Sequence, residues 1–178
     1  MPTTPTYEFT PATGTYEREK LLAFIDVAAA SATSPDWALL GIRVEDSSMS
    51  YDWSDETKQD ITGKTYTTMK KPVITQTFDS WELEGADEAA QHIWKKAVVD
   101  QDYTALTNQK MLICHVYGGF AEQYDSCMVK PTSIGGEGGG TLGMSADVTY
   151  GGTRTKGTVT FTGGVPTFTP ESGSSTGG

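Results

Sequence analysis

Hydrophobic and polar positions along the chain alternate mostly with the period of two that is typical of strands. The clearest alternation lies in residues 142–150 and 156–162, where small or polar residues separate apolar side chains, all of them threonines between 158 and 162. Residues 21–27 and 111–117 are instead apolar at successive positions, which is typical of strands covered on both faces. The pattern therefore predicts a mainly β protein.

Shorter segments extend this prediction. Residues 37–44 and 73–78 also predict strands, and a helix over 17–30 is the alternative to the strand at 21–27. Two glycines, Gly151 and Gly152, separate the threonine-rich segments, so we expect those two strands to pair as a hairpin.

One segment, residues 86–99, has helical rather than strand periodicity. Ala90, Ile93 and Ala97 recur at helical spacing and form an apolar stripe. Acidic residues at the start of the segment and lysines near its end match the charge preference of the helix dipole. A β-sandwich or barrel flanked by this one helix is the fold class that the pattern predicts.

Residues 45–72 are polar and acidic and contain few large aliphatic side chains. A segment of this composition cannot form its own core, so it predicts a long polar loop or extended hairpin. Residues 1–16 are rich in proline and threonine and predict an N-terminal arm, and 165–178 predict a C-terminal arm. The domain itself is predicted to span 17–164.

The chain has 178 residues and a formal net charge of −10. An acidic surface argues against a protein that grips nucleic acid, because phosphate binding requires a basic face. The excess is concentrated in residues 1–60, which contain 11 acidic and 4 basic residues. No apolar stretch is long enough to predict a membrane span, and the first residues lack the pattern of a signal peptide.

Motifs for catalysis and cofactor binding fail in their sequence context. Gly138, Gly140 and Gly143 have dinucleotide-fingerprint spacing but precede a strand pattern rather than a helix. His92 and His115 have no nucleophile motif beside them, and the acidic clusters lie in polar segments. The sequence predicts no enzyme, cofactor or metal site.

The two cysteines, Cys114 and Cys127, belong to no zinc-binding motif. Cys114 lies in an apolar run, which predicts a buried, inert thiol. A disulfide between the two is possible in principle, but a cytoplasmic product does not favour it.

Several segments, in this order, resemble the major tail tube protein of long-tailed phages and prophages of Gram-positive bacteria. They are KLLAFIDV (20–27), WALLGIRVED (37–46), YDW (51–53), DITGK (60–64), KPVITQTF (71–78), Ile93-Trp94 and GTVTF (157–161). The resemblance covers residues 18–170 as a succession of segments rather than as one sharp motif.

The resemblance implies a structural virion protein with the tail tube fold. Six subunits would join their sheets into a ring, and stacked rings would form a hollow tube around a tape-measure protein. Tail terminator and distal tail proteins would be further partners, and double-stranded DNA would pass through without specific binding. Assembly would take place in the bacterial host cytoplasm, with no membrane partner.

The resemblance also implies candidate interface residues, since 45–72 match a loop that contacts neighbouring subunits. Candidate acids facing the lumen or the next ring are Glu45, Asp46, Asp52, Asp55, Glu56 and Asp60. Candidate inter-subunit residues are Trp53, Tyr66, Lys70 and Lys71.

Three alternatives stay open from the sequence. The chain is alternatively a monomeric β-sandwich binding module, for example for carbohydrate, that stacks ligands on Trp37, Trp53 and Trp81. The tube of a contractile tail or secretion system shares the fold that the resemblance implies. An enzyme of unrecognised type is the third alternative.

Overall fold

The computed structural model describes residues 13–172, which form a mainly β architecture with one principal helix. The strands are β1 (Leu21–Asp26), β2 (Trp37–Leu40), β3 (Val44–Asp46), β4 (Met49–Asp52), β5 (Glu56–Gln59), β6 (Thr65–Thr68), β7 (Val73–Glu82), β8 (Gln109–His115), β9 (Phe120–Gly135), β10 (Gly143–Tyr150), β11 (Arg154–Thr162) and β12 (Val165–Pro170). The helices are α1 (Glu88–Trp94), which continues as a π-helical segment (Lys95–Val99), and the short α2 (Tyr103–Leu106). The predicted fold class is confirmed.

The strands are arranged as two antiparallel layers that share β9. The first layer has the order β2-β1-β8-β9-β11-β12, and the second runs β9-β10-β7, with β3 and β4 side by side along the far edge of β7. The first half of β9 pairs with β8 and β11, and its second half pairs with β10. One long strand therefore joins both layers covalently.

The main core lies between the two layers. It contains Ile25 from β1, Ile113 from β8, Phe78 from β7 and Val148 from β10, each at most 1% exposed. These side chains pack against one another, and the burial of each contributes about 1.5–3 kcal/mol to the free energy of unfolding. The alternation predicted for β10 is confirmed, because its even-numbered positions are buried and its odd-numbered ones are partly exposed.

A second core explains why β1 and β8 are apolar at successive positions. Leu22 and Phe24 of β1 face the opposite side from Ile25 and pack with Leu112 of β8 and Val159 of β11. The first layer curls strongly enough to bring β12 beside β2, so this second core lies inside a half-barrel. Both faces of the central strands are thus buried, as the sequence predicted.

Helix α1 covers one end of the main core. Asp87 is its N-cap: one carboxylate oxygen accepts a hydrogen bond from the Ala90 amide at 3.0 Å, and the other accepts from the Trp81 indole at 2.9 Å. Trp81 is fully buried on β7, so a single side chain starts the helix and ties it to the sheet. Burial raises the pKa of the Asp87 carboxyl.

The structure differs from the predicted strand pairing at Gly151-Gly152. The hairpin predicted there is wrong: β10 pairs with β7 and β9, whereas β11 pairs with β9 and β12. Gly152 has a φ of 73° and lies against Asp125 and Ser126, where a side chain would not fit. The two glycines therefore carry the chain from one layer to the other.

Other boundaries also differ from the sequence predictions. The strand predicted over 37–44 breaks after Leu40, because Gly41 and Arg43 have φ values of 104° and 55°. Of the predicted C-terminal arm, 165–178, residues Val165–Pro170 form β12, hydrogen-bonded to β11 along its length. Residues 1–12 and 173–178, which hold the rest of both predicted arms, lie outside the described residues.

Candidate assembly surfaces

The most prominent surface feature is a long hairpin. The β4–β7 ladder continues outward through a hydrogen bond from the Lys70 amide to the Trp53 carbonyl into the β5–β6 pair. Residues 50–71 are all exposed, so the hairpin projects from the domain without packing on it. This is the segment that the sequence predicted as a polar loop or extended hairpin.

The tip of the hairpin is a well-ordered turn. One carboxylate oxygen of Asp60 accepts hydrogen bonds from the Thr62 amide at 2.8 Å, the Thr62 hydroxyl at 2.6 Å and the Lys64 amide at 3.0 Å. The Thr62 hydroxyl and the backbone donors lower the pKa of Asp60. The turn holds Ile61 at its outermost point with a relative exposure of 105%.

The six candidate acids are exposed and follow one edge of the molecule. Three of them make local contacts: Asp60 caps the tip, Asp52 accepts from the Ser54 amide at 2.9 Å, and Glu56 pairs with Lys58 at 2.9 Å. Within residues 13–172, no side-chain hydrogen bond or ion pair engages the carboxylates of Glu45, Asp46 or Asp55. The three unengaged acids stay candidates for contacts outside the single chain.

The predicted inter-subunit residues lie at the base and along the arms of the hairpin. Trp53 is 45% exposed and stacks on Tyr51, with ring centroids 6.3 Å apart. Tyr66, Lys70 and Lys71 are exposed. Their role stays a prediction.

A cavity of about 460 Å³ lies beneath the base of the hairpin. Tyr51, Trp53 and Lys71 line it on the hairpin side, and Tyr150 and Arg154 line it on the side of the domain. The hairpin base and the wall of the core therefore face each other across this cavity.

The wall of that cavity on the side of the domain contains a charge network that was not predicted from the sequence. Glu122 is 5% exposed, and its carboxylate contacts Arg154 Nε at 2.6 Å, the Tyr124 hydroxyl at 2.7 Å and His115 Nε2 at 2.9 Å. Burial alone would raise the pKa of Glu122, but these three contacts outweigh it and lower the pKa to about 2.

The His115 ring is held from both sides. Its Nε2 lies near Glu122, although the N–H is not directed at the carboxylate oxygen, and its Nδ1 lies 2.9 Å from the Tyr117 hydroxyl. The ring also stacks on Phe120 with centroids 4.4 Å apart. The network thus joins β8, β9 and β11, and Glu122, Tyr124 and Arg154 form part of the cavity wall.

A second depression, of about 590 Å³, opens between β1–β2 and β3–β7. Its floor includes Leu39, Val44 and Phe78, and exposed Ile42 lies beside them. Exposed acidic side chains, Glu17 and Glu45 among them, form its rim. We refer to this depression as the β2–β3 groove.

His92 and the two cysteines, which were considered from the sequence for catalysis or metal binding, lie at separate positions in the fold. His92 bonds to the Gln109 side chain at 3.1 Å, and burial lowers the pKa of its ring. Cys114 and Cys127 are free and buried, and burial raises the pKa of both thiols to about 12. Among residues 13–172, no three His, Cys, Asp or Glu side chains are placed to hold a metal ion.

The tryptophans separate in the structure. Trp37 is 7% exposed and Trp81 fully buried, so neither offers a stacking surface for a ligand. Only Trp53 of the three candidates is accessible, which removes most of the aromatic platform that the carbohydrate-binding alternative requires. In the described part of the chain, no helix has the length and apolar composition needed to cross a bilayer.

Comparisons with known proteins place the fold in context. No family model matches the chain, and no curated protein does. A chain of the sheath–tube complex of an extracellular contractile injection system is similar over 83% of this chain and 94% of its own length, with 7% identity and a TM-score of 0.47.

Two further solved structures are similar at the same level. One belongs to the sheath/tube terminator of that injection system, with 8% identity and a TM-score of 0.44 over 82% of this chain and 99% of the other. The other is the tube-terminating cap of the anti-feeding prophage, with 10% identity and a TM-score of 0.44 over 84% and 95% of the two chains. Likeness at this level does not establish what this chain does.

Proposed function

We propose that this chain is a structural subunit that assembles with copies of itself into stacked hexameric rings, forming the hollow tail tube of a long-tailed phage or prophage of a Gram-positive bacterium. In this proposal the tube forms around a tape-measure protein in the host cytoplasm and is bounded by tail terminator and distal tail proteins. In the virion it conducts double-stranded DNA, and the subunit has no catalytic role.

The observation that carries the proposal is the hairpin, whose residues 50–71 are all exposed. An isolated two-stranded hairpin is at best marginally stable in water. This one nevertheless exposes Trp53, Ile61, Tyr66 and Met69, which water does not favour. A neighbouring subunit that covers these side chains would supply the missing burial.

The strand edges support the same proposal. Within residues 13–172, β3 and β4 pair only with β7, so the edge that they form has no ladder partner on its other side. Open edges are an aggregation hazard for a monomer, and closure of a ring removes it. A subunit that pairs its edges with its neighbours therefore suits this fold.

The experiment that tests the proposal shortens the hairpin. We expect the unaltered chain to form rings or tubes at high concentration, with a ring mass six times 19.1 kDa. Replacing residues 54–69 by an Asn-Gly turn should leave the circular dichroism spectrum and melting temperature nearly unchanged, because these residues pack on nothing else, but should abolish assembly. Circular dichroism measures the fold and the melting temperature, and sedimentation velocity and negative-stain microscopy measure assembly.

The matched control shortens another exposed loop, residues 136–141, which lies between β9 and β10. This variant should still assemble. A full-length chain that stays monomeric at the highest attainable concentration would contradict the proposal, and so would a shortened hairpin that assembles normally.

The acidic surface supports the conduit role, because a basic lumen would hold DNA by counterion release. We expect assembled tubes to leave double-stranded DNA in the supernatant at about 150 mM salt in a co-sedimentation assay. Tubes carrying Asp46→Lys and Asp55→Lys should retain DNA, and raising the salt should release it. Retention of DNA by unaltered tubes would argue against a DNA conduit without affecting the assembly proposal.

A tube or terminator subunit of a contractile system is the second form of the proposal. The similar solved structures come from such systems by name. Both forms use a ring-forming subunit, and a contractile system adds an outer sheath. Microscopy of assemblies from the producing cells distinguishes them, because only the contractile form has a second protein layer around the tube.

A further inference from the structure

The hairpin tip presents one apolar side chain on a rigid support. Ile61 is fully exposed, while three hydrogen bonds to one Asp60 oxygen fix the turn that carries it. A preformed turn loses little conformational entropy when it binds. Most of the free energy gained by burying its apolar side chain therefore contributes to the affinity.

The β2–β3 groove has the complementary shape and polarity. Its volume of about 590 Å³ is ample for an isoleucine side chain with its flanking backbone. Leu39, Val44 and Phe78 form an apolar floor, and Ile42 is 39% exposed at its side. The groove therefore offers an apolar receptor within a chain that is otherwise acidic.

The charges of tip and groove are also complementary. The Asp60 carboxylate is occupied within its own turn, which leaves the exposed Lys64 as the free charge at the tip. No ion pair within residues 13–172 engages Lys64. Three carboxylates, those of Glu17, Glu19 and Glu45, line the groove against the one guanidinium of Arg18, which donates to the backbone carbonyls of Ser47 and Leu21. Glu17 and Glu45 are exposed and form no ion pair in the described part of the chain. A lysine entering over two carboxylates would be attracted and oriented.

The hairpin cannot reach the groove of its own chain. The groove lies beside Gln76 and Phe78, at the end of the β4–β7 ladder where β3 joins, and the hairpin extends from the opposite end near Val73. The ladder from Met49 to the tip is about 35 Å long at strand spacing. The tip can therefore reach such a groove only on a second copy of the chain.

We propose that the Ile61 tip of one subunit inserts into the β2–β3 groove of a second copy, with Lys64 over Glu17 and Glu45. Tip and groove are different surfaces, so the contact is heterologous, and repetition of a heterologous contact produces a ring or an open filament. The inference rests on the proposed function and specifies which surfaces join the subunits.

The first test is Ile61→Asp. Burial of one isoleucine corresponds to at least a tenfold change in affinity, so the concentration needed for assembly should rise at least tenfold. The melting temperature should not change, because Ile61 contacts nothing in its own chain. Val99→Asp is the matched control, since Val99 is 57% exposed at the end of the helical segment, far from both surfaces in sequence.

The second test reverses the charges. Lys64→Glu and Glu45→Lys should each weaken assembly, and the double variant should recover most of the loss, because the pair is then restored with opposite signs. The two single substitutions change the net charge of −10 in opposite directions, to −12 and to −8. If each residue acted only through net charge, one single variant would therefore weaken assembly and the other would strengthen it, so weakening by both supports a local contact.

The third test identifies the occupant. A tagged chain carrying Ile61→Cys is mixed with an untagged chain carrying Ile42→Cys under mild oxidation, and cross-linked dimers should form between the two. A single chain with both substitutions that cross-links only internally would overturn the inference.

The outcomes distinguish a failure of the tip–groove contact from a failure of the proposed tube function. Normal assembly of Ile61→Asp, while the unaltered chain also assembles, overturns the tip–groove contact and leaves the tube function intact. An unaltered chain that never assembles overturns both.

Discussion

Replacing Trp81 with alanine is expected to lower the free energy of unfolding by about 3–5 kcal/mol, a large part of the stability of a domain of this size. Trp81 is fully buried and lies 5.8 Å, centroid to centroid, from Phe78 in the main core. Its indole also donates to Asp87, the N-cap of α1, so the substitution removes a core side chain and leaves a buried carboxylate without its partner. Urea unfolding followed by circular dichroism measures the loss.

Two comparison variants make the result interpretable. Trp53→Ala removes an equally large side chain that is 45% exposed, and it should cost well under half as much. Trp81→Phe keeps most of the core volume but loses the indole N–H, so it should cost about 1–3 kcal/mol. Equal losses for Trp81→Ala and Trp53→Ala would contradict the placement of Trp81 at the centre of the core.

Glu122→Gln is expected to destabilise the protein by about 3 kcal/mol at neutral pH and to remove part of its acid sensitivity. The pKa of Glu122 is lowered from 4.5 to about 2 in the folded state. A carboxylate with a lowered folded-state pKa contributes stability that is present above its unfolded pKa and is lost as the pH falls through the folded value. The difference between the two proteins should therefore shrink from about pH 4.5 to about pH 2.

The control for this experiment is Glu137→Gln, a substitution with the same chemistry at an exposed loop position. It should change stability by less than about 0.5 kcal/mol at any pH. A constant difference between Glu122→Gln and the unaltered protein from pH 7 to pH 2 would show that the network does not depend on the charge of Glu122. Thermal unfolding at a series of pH values provides the data.

Most of the strands were accessible from the sequence because local periodicity reports which faces are buried. The doubly apolar β1 and β8 and the alternating β10 are the best examples, and each is confirmed by the burial of its residues. Helix α1 was also predicted, and its start differs by two residues because Asp87 is its cap. These features depend on neighbours in the chain, which a sequence pattern records.

Strand pairing was less accessible, because the partners of a strand are chosen over the whole chain. The β10–β11 hairpin was predicted from a glycine pair of the right length, but β9 is long enough to provide a partner for each of the two strands. A turn motif reports that the chain reverses or shifts direction, and it cannot report which strand lies beside it afterwards. The β12 segment was missed for the same reason, since its pairing with β11 compensates for its weak apolar pattern.

The candidate surfaces were likewise predictable from the sequence only where local composition determines them. The exposure of the hairpin follows from its polar composition, so the sequence predicted the segment and its residues without placing the contacts. Glu122 was missed because it lies between Ala121 and Gln123 without an apolar run to signal burial. Its neutralising partner, Arg154, lies 32 residues away on β11, and the pairing of β11 with β9 brings the two together.

The pairing of β1 with β8 has a consequence for the order in which the chain can mature during synthesis. Leu21 lies opposite His115, so the central N-terminal strand has no β8 partner until more than half of the protein has been translated. At typical bacterial elongation rates of about 5–20 residues per second, the apolar β1 segment waits on the order of 5–20 s for that partner. During this interval β2 can already pair with one edge of β1, whereas the edge that β8 covers stays without its partner.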